Sequence, residues 1–186
     1  LGLHNGVIPS SRQRIPRPQP KKHWWRERRE LGEIWAEAIP NHPRLNEYLE
    51  YRGLSIPLPD TLRLHPSLEY WYERKPYGKF PCMLTQILRD GEMVGIHRTF
   101  LAPYGPGKAS VPEPKVSKKC VDSMTGGCIR LFEFDPEKPL VLCEGIETGL
   151  AIYEFSGWPV WACVSGAMLK KVELPSNIQS VVIGAD

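Results

Sequence analysis

The chain has 186 residues, of which 41% are hydrophobic and 24% are charged, and it carries a formal net charge of +3. This composition is ordinary for a globular protein of one domain or two small ones. No stretch approaches the roughly 18 apolar residues that a membrane span needs, and the N-terminal region is too polar for a signal peptide. We therefore expect a cytoplasmic protein that has no membrane partner.

The positive charge is concentrated in an N-terminal arm. Residues 1–30 hold eight basic and two acidic side chains, a net charge of +6, which leaves −3 for the remainder. Basic, proline-rich arms bind phosphates in some proteins and act as solubilising linkers in others. The sequence leaves both interpretations open.

The five cysteines do not form a metal-binding pattern. No C-x-x-C pair occurs, and Cys120 and Cys128 have no second pair that would complete a site. Cys143 and Cys163 lie in apolar, strand-like runs. Free thiols in a reduced compartment are therefore favoured over a zinc site.

The first third of the chain is predicted to contain an irregular arm and two helices. Residues 1–22 combine Gly, Pro, Ser and basic residues without periodicity, which is typical of a disordered arm. Apolar residues recur at three- and four-residue steps over 24–38 and predict a helix. A shorter helix is predicted over 43–52, ended by Gly53. The prolines of 54–80 indicate a mostly irregular segment.

A β-hairpin is the clearest element in the middle of the chain. The strand-like runs 82–89 and 93–101 flank Asp90-Gly91, a favoured hairpin turn. The segment 102–119 is rich in Pro, Gly and Lys, which predicts an exposed loop.

From residue 139 the pattern changes to alternating strands and helices. Strands are predicted over 140–143, 160–164 and 181–185, and helices over 146–155 and 167–172. This order is typical of a parallel sheet covered by helices. Residues 129–134 predict one further strand before it. The predicted fold class is α/β, with an α+β N-terminal subdomain that contains the hairpin, followed by a partial parallel α/β sheet.

Two acidic residues directly follow strands of the predicted parallel sheet. Glu144 comes after 140–143, and Asp186 comes after 181–185. Because ligands bind beyond the carboxyl ends of parallel strands, both side chains are expected at the same edge. Carboxylate oxygens there suit Mg²⁺. Glu147 at the start of the next helix is a third candidate, although each acid alone is also consistent with a cap or a solvated turn.

The residues around these acids resemble the TOPRIM metal-binding domain. Leu-Val-Leu-Cys-Glu-Gly-Ile-Glu-Thr-Gly-Leu-Ala at 140–151 is similar to the first TOPRIM motif. Val-Val-Ile-Gly-Ala-Asp at 181–186 is similar to the strand that leads into the family's Asp-x-Asp motif. The resemblance implies that Glu144 is a catalytic, metal-linked glutamate and that Asp186 and Glu147 are ligands of Mg²⁺ or Mn²⁺.

Upstream residues resemble DnaG-type primases of phages, plasmids and other mobile elements. Asn-Glu-Tyr-Leu-Glu-Tyr-Arg-Gly-Leu at 46–54 is similar to a helix of that family, and the hairpin with Gly-Pro-Gly-Lys-Ala at 105–109 is similar to its N-terminal subdomain. By position, Arg98 and Lys108 match the basic residues of the family's cleft for template and nucleotide. The resemblance divides the chain into a basic arm with a helix (1–42), a primase-type N-terminal subdomain (43–136) and the first half of a TOPRIM domain (137–186).

The function implied by this resemblance is Mg²⁺-dependent synthesis of RNA primers during phage, plasmid or chromosomal replication. The enzyme would be a DNA-directed RNA polymerase whose partners are single-stranded DNA, ribonucleoside triphosphates and a replicative helicase. Two alternatives stay open: a TOPRIM nuclease or topoisomerase, and a non-catalytic nucleic-acid-binding adaptor. His97 has no partner for a catalytic triad and is interpreted as structural.

The sequence departs from the primase pattern at both ends. The second Asp of Asp-x-Asp would come two residues after Asp186, and the zinc-binding domain of such primases would lie upstream of Leu1. We therefore expect a fragment of a longer enzyme, which binds Mg²⁺ weakly and does not synthesise primers by itself. Zinc is expected only in the upstream region.

Overall fold

The computed structural model describes residues 24–185, and it begins with two helices. Helix α1 is Trp25–Glu37, strand β1 is Ile39–Pro40 and helix α2 is Pro43–Tyr51. Both predicted helices are confirmed. Helix α2 starts with Pro43, and the first N–H of a helix has no partner within the helix, so the missing N–H of proline costs nothing there. The helix ends near Gly53, whose φ of 78° is favourable for glycine. The predicted disordered arm, 1–22, lies outside the described residues.

An antiparallel sheet forms the centre of the N-terminal part. Strands β2 (Arg63–Tyr72), β3 (Lys75–Arg89), β4 (Glu92–Phe100) and β5 (Lys115–Lys119) follow β1 in the sheet in chain order. The predicted hairpin is confirmed as β3 and β4. Its turn contains Asp90 and Gly91, both with positive φ, which is the geometry that an Asp-Gly hairpin turn requires.

Two segments predicted as irregular contain strands instead. In 54–80, strand β2 continues through Pro66, because a register shift between His65 and Leu68 accommodates the proline. In 102–119, the lysine-rich end forms β5, an edge strand paired with β4. Charged residues are common on edge strands, so composition alone did not distinguish this strand from a loop.

The second sheet has the strand–helix order that the sequence predicted. It contains β6 (Ile129–Arg130), β7 (Leu140–Cys143), α3 (Ile146–Ser156), β8 (Val160–Ala162), α4 (Gly166–Leu169) and β9 (Val181–Gly184). The strand order is β6-β8-β7-β9, with β7 parallel to both β8 and β9 and with β6 antiparallel to β8. The α/β fold class is therefore confirmed. Strand β6 and helix α4 are shorter than predicted.

The antiparallel sheet is covered on both faces. On one face, Leu31 of α1 packs in a cluster with Leu84 and Ile96. On the other face, Ile87 shares a core with Tyr48 of α2 and with residues of β7, α3 and β8. The two sheets are thus joined through a common hydrophobic core. Within residues 24–185 no helix is long and apolar enough to span a membrane.

All five cysteines are buried thiols that form no disulfide, as the sequence predicted. Burial raises the pKa of the Cys163 thiol to about 11 and that of Cys128 to about 12. A thiol with so high a pKa contributes little thiolate at neutral pH and is a weak nucleophile. These cysteines therefore act as small core residues.

Replacement of Gly95 by alanine is expected to destabilise the protein by about 1–3 kcal/mol, the usual range for an overpacked core. A Cβ atom there would lie 2.8 Å from the carbonyl oxygen of Lys118 and 2.6 Å from the sulfur of Met124. The carbonyl belongs to the pairing of β4 with β5, so it cannot retreat without loss of that pairing. Urea unfolding measures the change.

Gly32 provides a matched control for this substitution. It lies in α1, and a Cβ atom there would meet nothing within 4 Å. Because alanine is the better helix former, Gly32→Ala should raise stability by about 0.5–1 kcal/mol. Equal stability of Gly95→Ala and the unmodified protein would contradict the packing described here.

Candidate functional site

Glu144 lies at the carboxyl end of β7, where its exposed carboxylate faces a pocket. The four residues of β7 are buried and fix the strand. Gly145 then starts α3, since its carbonyl accepts the amide of Gly149 at 3.0 Å. The backbone carbonyl of Glu144 accepts the amide of Val164 at 2.9 Å, which ties the loops that follow β7 and β8 to each other. The glutamate is thus held at the sheet edge predicted from the sequence.

The pocket beside Glu144 has a volume of about 200 Å³ and is formed by both sheets. The second sheet contributes Glu144 with the residues around it, and the antiparallel sheet contributes His97 and Lys115. Gly166 also borders the glutamate, because a Cβ atom there would lie 3.4 Å from Oε2. The site therefore combines a carboxylate from one sheet with an ammonium group from the other.

His97 and Lys115 reach the pocket because of the register of β4 and β5. His97 is paired with Ser117, and its Nδ1 lies 2.9 Å from the serine hydroxyl. Burial, together with the positive charge of Lys115, lowers the pKa of His97 to about 4, although the negative charge of Glu147 opposes this change. His97 is therefore uncharged at neutral pH, so Lys115 supplies the full positive charge of the described pocket lining.

Glu147 lies in the first turn of α3 and is buried, with both carboxylate oxygens occupied. The Tyr48 hydroxyl donates to Oε1 at 2.5 Å, and the Lys115 ammonium donates to Oε2 at 2.7 Å. Lys108 lies 3.6 Å from Oε1. Burial alone raises the pKa of Glu147, but the hydrogen bonds from Lys115 and Tyr48 outweigh this and lower the pKa to about 2.

The predicted basic residues lie in different places. Lys108 is half-buried and joins Lys115 at the carboxylate of Glu147, next to the pocket. Arg98 lies on the opposite face of the sheet from His97, because successive residues of a strand point to opposite sides. Its guanidinium carbon is 5.8 Å from the ring centre of Phe100, a residue of the core under α1. The structure thus separates Arg98 from the Glu144 pocket.

The described lining of the pocket offers a divalent metal the carboxylate of Glu144. Within residues 24–185 no three His, Cys, Asp or Glu side chains are close enough to hold a metal ion. Glu144 itself fits such a role, since it is an exposed oxygen donor beside a pocket. Strand β9 runs parallel to β7, with Gly184 beside Cys143, so β9 ends at the edge of the sheet where Glu144 lies. Asp186 is outside the described residues.

His97 should make the stability of the protein depend on pH. Its pKa is about 4 in the folded protein and 6.5 in the unfolded chain, so the folded state favours the uncharged ring. Its contribution is complete above pH 6.5 and is lost as the pH falls from 6.5 to 4, by roughly 2–3 kcal/mol. Urea unfolding between pH 4 and pH 7 measures this loss. We expect His97→Gln to flatten the profile above pH 4.5, and an unchanged slope would contradict the assignment.

Two known domain families match the chain. Residues 26–131, more than half of the chain, match the family described as Domain of unknown function (DUF7146). Residues 139–186 match the Toprim domain, which covers β7 to β9 and confirms the TOPRIM resemblance. A search of curated proteins finds no match, and neither does a search of solved structures. The chain belongs to the DUF7146 family, and it carries a TOPRIM domain of the kind found in enzymes that act on nucleic acids.

Proposed function

We propose that the chain is part of a DNA primase that synthesises RNA primers on single-stranded DNA. The observation that carries the proposal is the composition of the Glu144 pocket. A carboxylate from the TOPRIM sheet and the ammonium group of Lys115 from the antiparallel sheet line the same cavity. Transfer of a nucleotide requires both kinds of group, because a metal-binding acid and a phosphate-binding cation must act at one place.

The acidic side of the pocket would hold the metal. Among the described residues that line the pocket, Glu144 supplies the carboxylate that would bind the metal. We assign Asp186 as the second ligand. A bound Mg²⁺ would neutralise charge on the triphosphate of the incoming nucleotide. Glu144 lines the pocket that the two sheets form, and the reacting phosphate would lie in this pocket.

The basic side of the pocket would hold the nucleotide. The ammonium of Lys115 borders the cavity, and Lys108 lies beside it at the same carboxylate. Lysine binds phosphate as a compact point charge with three donors. His97 lines the same pocket as a polar, uncharged side chain, because its lowered pKa keeps the ring neutral at pH 7. In this proposal Arg98 does not contact the nucleotide, since it lies under α1.

The proposed partners follow from the reaction. Single-stranded DNA would serve as the template and ribonucleoside triphosphates as the substrates, and a replicative helicase would deliver the template. Phosphate contacts through lysine predict that binding of DNA weakens as the salt concentration rises. The TOPRIM domain alone is equally compatible with cleavage of phosphodiesters, so the reaction product must be identified directly.

The test is incubation of the intact protein that contains this chain with single-stranded DNA, ribonucleotides and Mg²⁺. The proposal predicts short RNA products that carry a 5′-triphosphate, and it predicts that they disappear when Mg²⁺ is chelated. Cleaved DNA without RNA synthesis would assign the protein to the nuclease or topoisomerase class. DNA binding with neither product would favour an adaptor.

A further inference from the structure

The carboxylate of Glu147 contacts three side chains that belong to the N-terminal part of the chain. Tyr48 comes from α2, Lys115 from β5, and Lys108 from the loop between β4 and β5. The glutamate itself belongs to α3 of the TOPRIM domain. Each of these contacts therefore joins α3 to the part of the chain that contains the antiparallel sheet. A single carboxylate links the TOPRIM domain to three elements of the antiparallel part.

The surroundings of Glu147 make these contacts well defined. The residue is 8% exposed, and Tyr48 is 1% exposed. A buried carboxylate requires partners, because an unpaired charge loses its hydration without compensation. The hydroxyl of Tyr48 and the ammonium of Lys115 satisfy one oxygen each. The position in the first turn of α3 adds a favourable interaction with the helix dipole.

Lys115 connects this buried contact to the pocket. Its side chain is hydrogen-bonded to Glu147 and also lines the cavity that Glu144 faces. A lysine without a fixed partner has many rotamers, and their restriction upon binding a phosphate reduces affinity. A lysine held in advance by Glu147 avoids part of that loss.

We propose that Glu147 is a positioning residue, which holds the ammonium of Lys115 at the Glu144 pocket and fixes the TOPRIM domain against the antiparallel sheet. The effect of Glu147 on catalysis rests on the proposed primase function. Its role in fixing the TOPRIM domain against the antiparallel sheet does not depend on that function. A role as metal ligand is the competing assignment. To bind a metal, Glu147 would have to release Tyr48 or Lys115, since each occupies one of its oxygens.

The test compares Glu147→Gln, Tyr48→Phe and Lys115→Met in the intact protein. Glutamine keeps the shape of Glu147 but removes the charge that fixes Lys115. We expect Glu147→Gln to raise the KM for the ribonucleotide about tenfold, the usual size for loss of one charge-assisted hydrogen bond, with a smaller change in kcat. Tyr48→Phe keeps the Lys115 contact, so it should change KM by less than about threefold.

The double variant decides whether Glu147 acts through Lys115. We expect Glu147→Gln to have no further effect on KM when Lys115 is already methionine, and the Mg²⁺ concentration for half-maximal rate should stay unchanged. Additive effects on KM would overturn the proposal in favour of an independent structural role. A large rise in the Mg²⁺ requirement of Glu147→Gln would overturn it in favour of a metal ligand.

A second readout separates this proposal from the primase function. Thermal unfolding of the 186-residue chain needs no activity, and the same variants can be compared there. We expect the losses in Tm of Glu147→Gln and Lys115→Met to be strongly non-additive, as for residues in direct contact. If the intact protein makes no primers, this coupling still tests the linkage. Additive losses would overturn the linkage whatever the protein's activity.

Discussion

Glu144→Gln is expected to lower primer synthesis by the intact protein at least about 1,000-fold, the size expected when several kcal/mol of transition-state stabilisation are lost. Glutamine has the shape of glutamate but lacks the charge that a divalent metal requires. Glu144 is exposed at the end of β7, so the fold should not change. Binding of single-stranded DNA should therefore be retained. Rates of RNA synthesis and DNA-binding isotherms measure both quantities.

Glu33→Gln is the matched control for this variant. Glu33 lies on α1, beyond the opposite face of the antiparallel sheet, and its side chain is 65% exposed. The same chemical change there should leave the rate within about twofold, because exposed ion pairs contribute little. Full activity of Glu144→Gln would exclude Glu144 from the catalytic centre.

Lys115→Met is expected to lower kcat/KM for the ribonucleotide about 100-fold, mainly through a higher KM. The loss of a charged hydrogen-bond donor to a phosphate accounts for an effect of this size. Methionine keeps much of the length of the side chain but cannot bind a phosphate. The variant should also be less stable, because the buried carboxylate of Glu147 loses the ammonium group closest to it. Only its contacts with Tyr48 and Lys108 then remain among those described. Steady-state kinetics and thermal unfolding measure the two effects.

Lys118→Met tests whether the effect of Lys115→Met comes from the place of Lys115 in the pocket or only from the positive charge of β5. Lys118 is in the same strand, but its register places it on the other face, where it pairs with Glu30 of α1. We expect this variant to change kcat/KM by less than about threefold. Equal losses in Lys115→Met and Lys118→Met would indicate a diffuse electrostatic effect and would contradict a defined phosphate site.

The elements with strong local signals were predictable from the sequence. Strand β7 is a buried run followed by Glu-Gly, and α3 ends at Gly157 in the left-handed region, so both boundaries have a physical cause that is visible in the residues. The hairpin turn at Asp90-Gly91 is of the same kind. Strand β2 was missed because its proline is accommodated by a register shift, which depends on the neighbouring strand.

The acidic side of the candidate site was predictable from the order of strands, whereas on the basic side Lys108 came only from the family resemblance and Lys115 was not predicted. Glu144 follows from the rule that strand ends carry ligands in parallel sheets. Lys115 lies in an edge strand that resembles a charged loop, and its place beside Glu144 depends on how two sheets pack. The alternation of β4 could have shown that His97 and Arg98 point to opposite faces. Which face adjoins the TOPRIM domain is determined by tertiary packing.

Whether a metal ion binds beside Glu144 is tested most directly by nuclear magnetic resonance with Mn²⁺, which binds carboxylate sites and broadens the signals of nearby nuclei. In a titration of the isotope-labelled chain, we predict that the amide signals of Gly145, Val164 and Gly166 broaden first. The indole signals of Trp35 in α1 and Trp71 at the end of β2 should stay sharp. Glu144→Gln should abolish the effect. Broadening that is centred elsewhere, or that persists in Glu144→Gln, would contradict a metal site at the carboxyl end of β7.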